Sequence, residues 1–176
     1  MSTDMSRRFD AGEVHELLRR AFAMRAASYA HFYDVLRERV GREQAIAICK
    51  TATRRMGETM GRPMANHAPA DLEGLRDAFL GGIIEAEALF APTGVAVGED
   101  GLKIDFMRCP LKEAWEAMGR RDHELEDLCE IAGAIDIGLF ESAGFGFAGR
   151  TWRIGQQGCC QLRVLPGAPA GPGSSS

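Results

Sequence analysis

Cys109, Cys129 and Cys160 are the side chains of this sequence with the most to offer a chemical reaction. Cys109 stands immediately before Pro110, and proline suits the first position of a helix because it lacks an amide hydrogen that would go unpaired there. Leu111, Ala114, Trp115 and Met118 then supply an apolar helix face, with Gly119 as a natural stop. Cys109 therefore falls at the N-cap. A thiolate in that place faces unpaired amide hydrogens and the positive end of the helix dipole, which lower a cysteine pKa. The plain alternative is a small residue at a strand-to-helix corner.

Cys129 belongs to a helical pattern marked by Leu125, Leu128, Ala132, Ile135 and Leu139. Asp136 follows two turns later on the same side. A carboxylate on an apolar face is costly to bury unless it is paired, hydrogen-bonded or bound to a ligand, and Ala132 between the two leaves room for something small. Strand alternation near the C-terminus puts Cys160 with Leu162 and Val164, facing inward, and Cys159 with Gln161 and Arg163 on the other face. On that reading only one of the two adjacent cysteines points at a pocket. Cys49 sits on a helical apolar stripe and is assigned to the core. His123, just ahead of the Cys129 helix, is a candidate proton carrier or substrate contact, with an exposed helix-start residue as the plain alternative. His15, His31 and His67 form no spaced pair of the kind zinc motifs require. Three cysteines at 109, 129 and 160 offer thiolates to a metal, but no Cys-x-x-Cys pair accompanies them, so the metal question stays open. Neither a phosphate-binding glycine loop nor a serine elbow is present; Phe-Gly-Phe-Ala-Gly at 145–149 reads as strand and turn.

The elements that must position these residues follow from periodicity. A long helix runs from Asp10 to Gly41 on Val14, Leu17, Leu18, Ala21, Phe22, Tyr29, Phe32, Val35 and Leu36. A second helix carries Ala45, Ile48, Cys49, Ala52, Met56 and Met60 on one face, until the Gly61–Pro69 stretch breaks it. A third begins at Asp71 with Leu72, Leu75, Phe79, Ile83, Ala86 and Phe90, weakened at Gly81-Gly82 and closed by Pro92. Alternation at Val95–Val97 and Leu102–Phe106, around Gly98–Gly101, signals a hairpin. Helices near Pro110–Met118 and Glu124–Glu141 come next. A second hairpin is expected from Thr151–Ile154 and Cys159–Val164 around the turn Gly155–Gly158. The expected fold is α+β: a helical N-terminal half packed on a small, mainly antiparallel sheet, with two helices in the C-terminal half.

With 176 residues and 19.1 kDa, the chain suits one domain over residues 10–165, with a flexible stretch at 1–9 and a disordered Pro-, Gly- and Ser-rich tail at 166–176. It is long enough to bury a core without disulfides or a structural metal. A net charge of −4 and basic clusters interspersed with acids argue against nucleic acid as a partner. The N-terminus lacks the apolar core of a secretory signal and no run approaches a membrane span, so a cytoplasmic protein with reduced thiols and no membrane partner is expected. The long first helix could pack on its own domain or on a twin, which leaves a homo-oligomer open.

The order of motifs in the second half adds a resemblance. Cys109-Pro-Leu-x-x-Ala-Trp-x-x-Met-Gly119 is followed by Leu128-Cys129-Glu130, an acidic residue, Gly138-Leu-Phe140, and Gly155-x-x-Gly-Cys-Cys-x-Leu-x-Val164. Over about residues 70–165 this resembles the L-2-amino-thiazoline-4-carboxylic acid hydrolase family. The resemblance implies hydrolysis of a small cyclic amidine or thiazoline, opening a C–N bond to leave a carbamoyl product. Such a reaction needs attack on the amidine carbon and a proton for the departing nitrogen. Cys109 or Cys129 would then be nucleophile or polarising group, with Asp136 steering water or pairing with a cationic amidine. Cys160 would line the pocket, and Arg153 or Arg163 would hold a substrate carboxylate. Any cofactor is left open. A rival reading keeps the same thiol pocket in a non-catalytic small-molecule or metal-binding sensor.

Overall fold

The computed structural model describes residues 9–167; the expectations for residues 1–8 and 168–176 lie outside the described residues. The first helix, α1 (Ala11–Val40), starts with a capping box in which the Asp10 carboxylate accepts from the Glu13 amide and the Glu13 carboxylate from the Asp10 amide. It stops at Gly41, whose φ of 84° only glycine adopts without strain. Its buried residues are Ala26, Ala30 and Tyr33, while Leu17, Phe32 and Val35 of the expected stripe remain exposed.

The second helix, α2 (Arg42–Gly61), corrects a larger part of its expected face. Ala45 and Cys49 are buried as expected, but the stripe continues through Thr53, Gly57 and Gly61, and leaves Ile48, Met56 and Met60 exposed. The cause is close backbone contact with α6 (Asp122–Ser142). A methyl group on Gly57 would lie 2.0 Å from the Ile135 carbonyl oxygen, and one on Gly61 2.0 Å from that of Leu139. Gly138 answers from α6, where a methyl would lie 2.1 Å from the Arg54 carbonyl oxygen. Small residues at every fourth position let two backbones meet where large apolar ones would hold them apart. An ionic knot around the buried Asp127 carboxylate ties the three helices together. The Asp127 carboxylate of α6 accepts from the Tyr33 hydroxyl at 2.6 Å and from Nε and Nη2 of Arg42 at 2.8 and 2.6 Å.

After a 3₁₀ turn (Arg62–His67), the expected third helix divides into α3 (Leu72–Gly81) and α4 (Ala86–Phe90). The break falls at the Gly81-Gly82 weakness, and Glu85 re-enters the chain path at a left-handed φ of 55°. Glu85 is held by a hydrogen bond between its carboxylate and His15 Nδ1 at 2.5 Å. The strands β1 (Pro92–Gly98) and β2 (Gly101–Phe106) form the first hairpin as expected, and α5 (Pro110–Ala117) leads to α6. The second hairpin is built differently from its expectation. Its strands are β3 (Gly146–Phe147) and β4 (Gln161–Leu165), with a single further bridge from Arg150 to Gln161. Thr151–Ile154 leaves the sheet because Trp152 packs on the cluster beside α5 and donates to the Gln156 carbonyl, while the Ile154 amide turns to the Glu126 carboxylate.

The result is an α+β fold, a helical N-terminal half against a four-stranded antiparallel sheet of order β1-β2-β4-β3. Its apolar residues form two clusters. One joins the sheet to α3 and the end of α6, through Phe79, Ile104, Phe106, Leu139 and Phe140. The other joins α1, α2, α5 and the start of α6, through Ala30, Tyr33, Trp115, Leu128 and Ile131. Among the described residues no helix is long and apolar enough to cross a membrane.

Candidate active site

A cavity of about 350 Å³ lies on the seam between the two clusters, bounded by Phe79, Phe106 and Leu139 on one side and Leu111, Trp115 and Cys129 on the other. Gly82, Ile83 and Ile84 form part of its wall, and Ile84 is 65 % exposed, which places it at the mouth. Cys109, Cys129, Cys159, Cys160 and Asp136 all line this one space.

Each arrives by a different local device. Cys109 is the N-cap of α5 in extended conformation, with Pro110 at the first helical position. Its sulfur lies towards the backbone amides of Leu111 and Lys112. Cys129 and Asp136 share the cavity side of α6, two turns apart, with Ala132 and Gly133 between them. Cys159 and Cys160 come from the approach to β4, and here the structure corrects the alternation argument. The Cys159 amide donates to the Phe106 carbonyl while the Cys160 carbonyl accepts from the Phe106 amide, so two residues stand opposite one. Such a bulge turns both side chains to the same side, and strand alternation begins only at Gln161. Cys159 is accordingly buried rather than outward, with its Sγ 3.2 Å from that of Cys160.

The thiols are not equivalent. The Cys159 thiol donates to the Cys109 sulfur, and with the helix-start amides this holds the Cys109 pKa below the ordinary thiol value against burial and the Asp136 charge. Cys159 is pushed up, because it is the donor to Cys109 and contacts Cys160. Burial pushes Cys129 up, reinforced by the charges of Cys109 and Cys160. Cys109 is thus the one of these three thiols whose pKa is held down. Burial raises the Asp136 carboxyl to about 7, with Arg25 acting in the opposite direction. No described residue hydrogen-bonds the Asp136 side chain.

Arg25 was not foreseen as a site residue, yet it lines the cavity from α1. Its Nε and Nη2 donate to the Tyr29 hydroxyl at 3.2 and 2.9 Å, and its guanidinium lies 5.2 Å from the centre of the Tyr29 ring. Among the described residues no carboxylate stands within ion-pair distance of it. Arg108, also on the wall, is by contrast held at both ends by Glu113 at 2.7 and 3.0 Å. An arginine set between Phe22 and Tyr29 on an apolar stripe was the available signal for Arg25.

Three expected substrate contacts lie elsewhere. Arg163 alternates to the outer face of the sheet and pairs with Asp105 of β2 at 2.8 Å. Arg153 is carried by the 151–154 loop out of this cavity to a second, more polar pocket on the other side of Gly133 and Asp136, which line both, and there it approaches Glu130 at 3.5 Å. His123 is exposed at the first turn of α6 and pairs with Glu126 at 3.1 Å. Among the described residues no group of three or more His, Cys, Asp or Glu side chains has the arrangement of a metal site.

Residues 19–164 match the sequence profile of the L-2-amino-thiazoline-4-carboxylic acid hydrolase family. The chain belongs to that family. No curated protein and no solved structure matches it. The family's name is that of a hydrolase, and its matched span extends N-terminal to the motifs around the cysteines, taking in α1 from Arg19 and therefore Arg25. In this member of the L-2-amino-thiazoline-4-carboxylic acid hydrolase family, all four cavity cysteines, Asp136 and Arg25 fall inside that span.

Proposed function

We propose that the protein hydrolyses a small cyclic amidine or thiazoline, opening a ring C–N bond with Cys109 as nucleophile and Asp136 as proton carrier. The observation that carries this reading is the pairing, in one apolar cavity, of a helix-start cysteine whose pKa is held down with a carboxyl that titrates near neutrality and has no hydrogen-bond partner among the described residues. The Cys109 thiolate adds to the amidine carbon. Protonated Asp136 gives its proton to the departing ring nitrogen as the C–N bond breaks, leaving a free amine. Ionised Asp136 then takes a proton from a water that attacks the sulfur-bound carbon. The carbon–sulfur bond to Cys109 breaks, a carbamoyl product leaves, and both groups return to their starting states with one water consumed. A carboxyl near pH 7 serves both halves of this cycle. Arg25, a cation with no carboxylate partner among the described residues, holds a carboxylate on the substrate. Cys129 and Cys159, whose pKa values are pushed up, stay neutral as walls, and Cys160 lines the same space. Five free thiols suit a reducing cytoplasm.

The purified protein should open thiazoline, hydantoin or related ring substrates to a carbamoyl product detectable by mass. Cys109→Ser should abolish turnover while the far-ultraviolet circular dichroism spectrum is unchanged. Full activity in a folded Cys109→Ser variant would remove the thiolate mechanism. The mainly aromatic and aliphatic lining supports a second reading, a small-molecule-binding module. Ring compounds that raise the melting temperature without being turned over would favour it.

A further inference from the structure

Cys159 and Cys160 reach the cavity side by side, and ring opening by Cys109 and Asp136 makes no chemical use of either. The bulge opposite Phe106 turns both side chains to one side, so two consecutive residues bring their sulfurs within 3.2 Å. Closing this pair on itself is disfavoured, because consecutive Cα atoms about 3.8 Å apart fall short of the usual disulfide span. Two soft donors on one wall suit instead a thiophilic ion that bridges them. Their spacing selects its geometry. With bonds of about 2.3 Å, one ion holds two sulfurs about 3.8 Å apart at a tetrahedral angle and about 3.3 Å apart at a right angle. The observed 3.2 Å fits the right angle of a pyramidal trivalent ion with a lone pair, such as arsenic(III), better than the tetrahedron of zinc.

We propose that Cys159 and Cys160 are a chelating dithiol for monosubstituted trivalent arsenicals, compounds with one organic group and two hydroxyls on the arsenic. Two arsenic–sulfur bonds form and two arsenic–oxygen bonds break. Each departing hydroxide leaves as water with one thiol proton, and the arsenic stays trivalent throughout. Cys160, partly exposed, makes the first bond, and the buried Cys159 closes the chelate. Among the described residues no group of three or more His, Cys, Asp or Glu side chains has the arrangement of a metal site, so the third bond of the arsenic is the one to carbon. The cavity suits that organic group, since Phe106, Leu111 and Trp115 give it apolar walls.

Phenylarsine oxide, which hydrates to the dihydroxy form, is the probe, added to the full chain with intact-mass and affinity readouts. The mass should rise by one phenylarsenic group less two hydrogens, and 2,3-dimercaptopropanol should remove it. Cys159→Ser and Cys160→Ser should each weaken binding by roughly 100-fold or more, the contribution of a second tethered contact. Cys49→Ser, Cys109→Ser and Cys129→Ser should retain it. Inorganic arsenite, with no organic group to fill the apolar space, should bind more weakly than the probe. Unchanged affinity in Cys160→Ser, loss of binding in Cys109→Ser or Cys129→Ser, or arsenite binding as tightly as the probe would overturn the assignment. If Cys159→Ser does not fold, the partly exposed Cys160 still decides it. Mass and affinity are read without turnover, so the outcome is separate from that of ring opening.

Discussion

Asp136 and Arg25 bring opposite charges to one apolar cavity yet form no ion pair with each other, and each therefore leaves a distinct experimental trace. The carboxyl of Asp136 titrates at about 7 in the folded chain against roughly 4 when unfolded. Between those values the folded state binds the extra proton, so this group's contribution to stability is intact below pH 4 and is lost as pH rises to 7. Asp136→Asn should therefore match the wild type near pH 4 and exceed it above pH 7 by up to roughly 4 kcal/mol, as read from urea unfolding at the two pH values. The same titration should give kcat/KM an alkaline limb near pH 7, where the first proton donor is lost. Arg25 should act on binding instead. Arg25→Gln should raise KM roughly 10–100-fold for a carboxylate substrate, with little change for an uncharged ring analogue, in steady-state assays.

Among the elements, the α2–α6 contact sets the tolerance of the whole site, because α6 carries both Cys129 and Asp136. Gly57→Ala should cost about 3 kcal/mol in chemical denaturation, since its methyl would meet the Ile135 carbonyl at 2.0 Å. Gly81→Ala, where a methyl would meet open space at the end of α3, should instead be neutral or stabilise by about 0.5–1 kcal/mol. This contact also marks where sequence reading stopped. Periodicity located α1, α5, α6, the first hairpin and the N-cap position of Cys109, because caps, prolines and alternation are local signals. It favoured Met56 and Met60 over Gly57 and Gly61, because a stripe is judged by its large apolar members while close backbone packing selects the smallest. It set Cys159 outward because a bulge is a backbone event, with only Gly158 at a φ of 77° beside it as a hint. It passed over Arg25 because an arginine on a half-buried stripe ordinarily carries its charge out to water.

At the scale of the molecule, the Tyr33–Asp127–Arg42 knot holds α1 and α2 against α6, and so fixes Arg25 relative to Asp136 across the cavity. Tyr33→Phe removes one hydrogen bond to the buried carboxylate and should cost about 1–3 kcal/mol, measured by thermal or urea unfolding. Among the described residues the opposite wall carries no fully buried carboxylate. There, Ile83 and Ile84 sit in the short connection between two glycines and a left-handed Glu85, tethered to α1 through His15. A guest in this protein consequently meets one boundary that cannot yield and another that can. Changes to the part of a molecule resting on α6 will be rejected by hard contact, whereas a longer substituent pointing past Ile84 will be admitted, so the protein discriminates among ligands by which end of them varies.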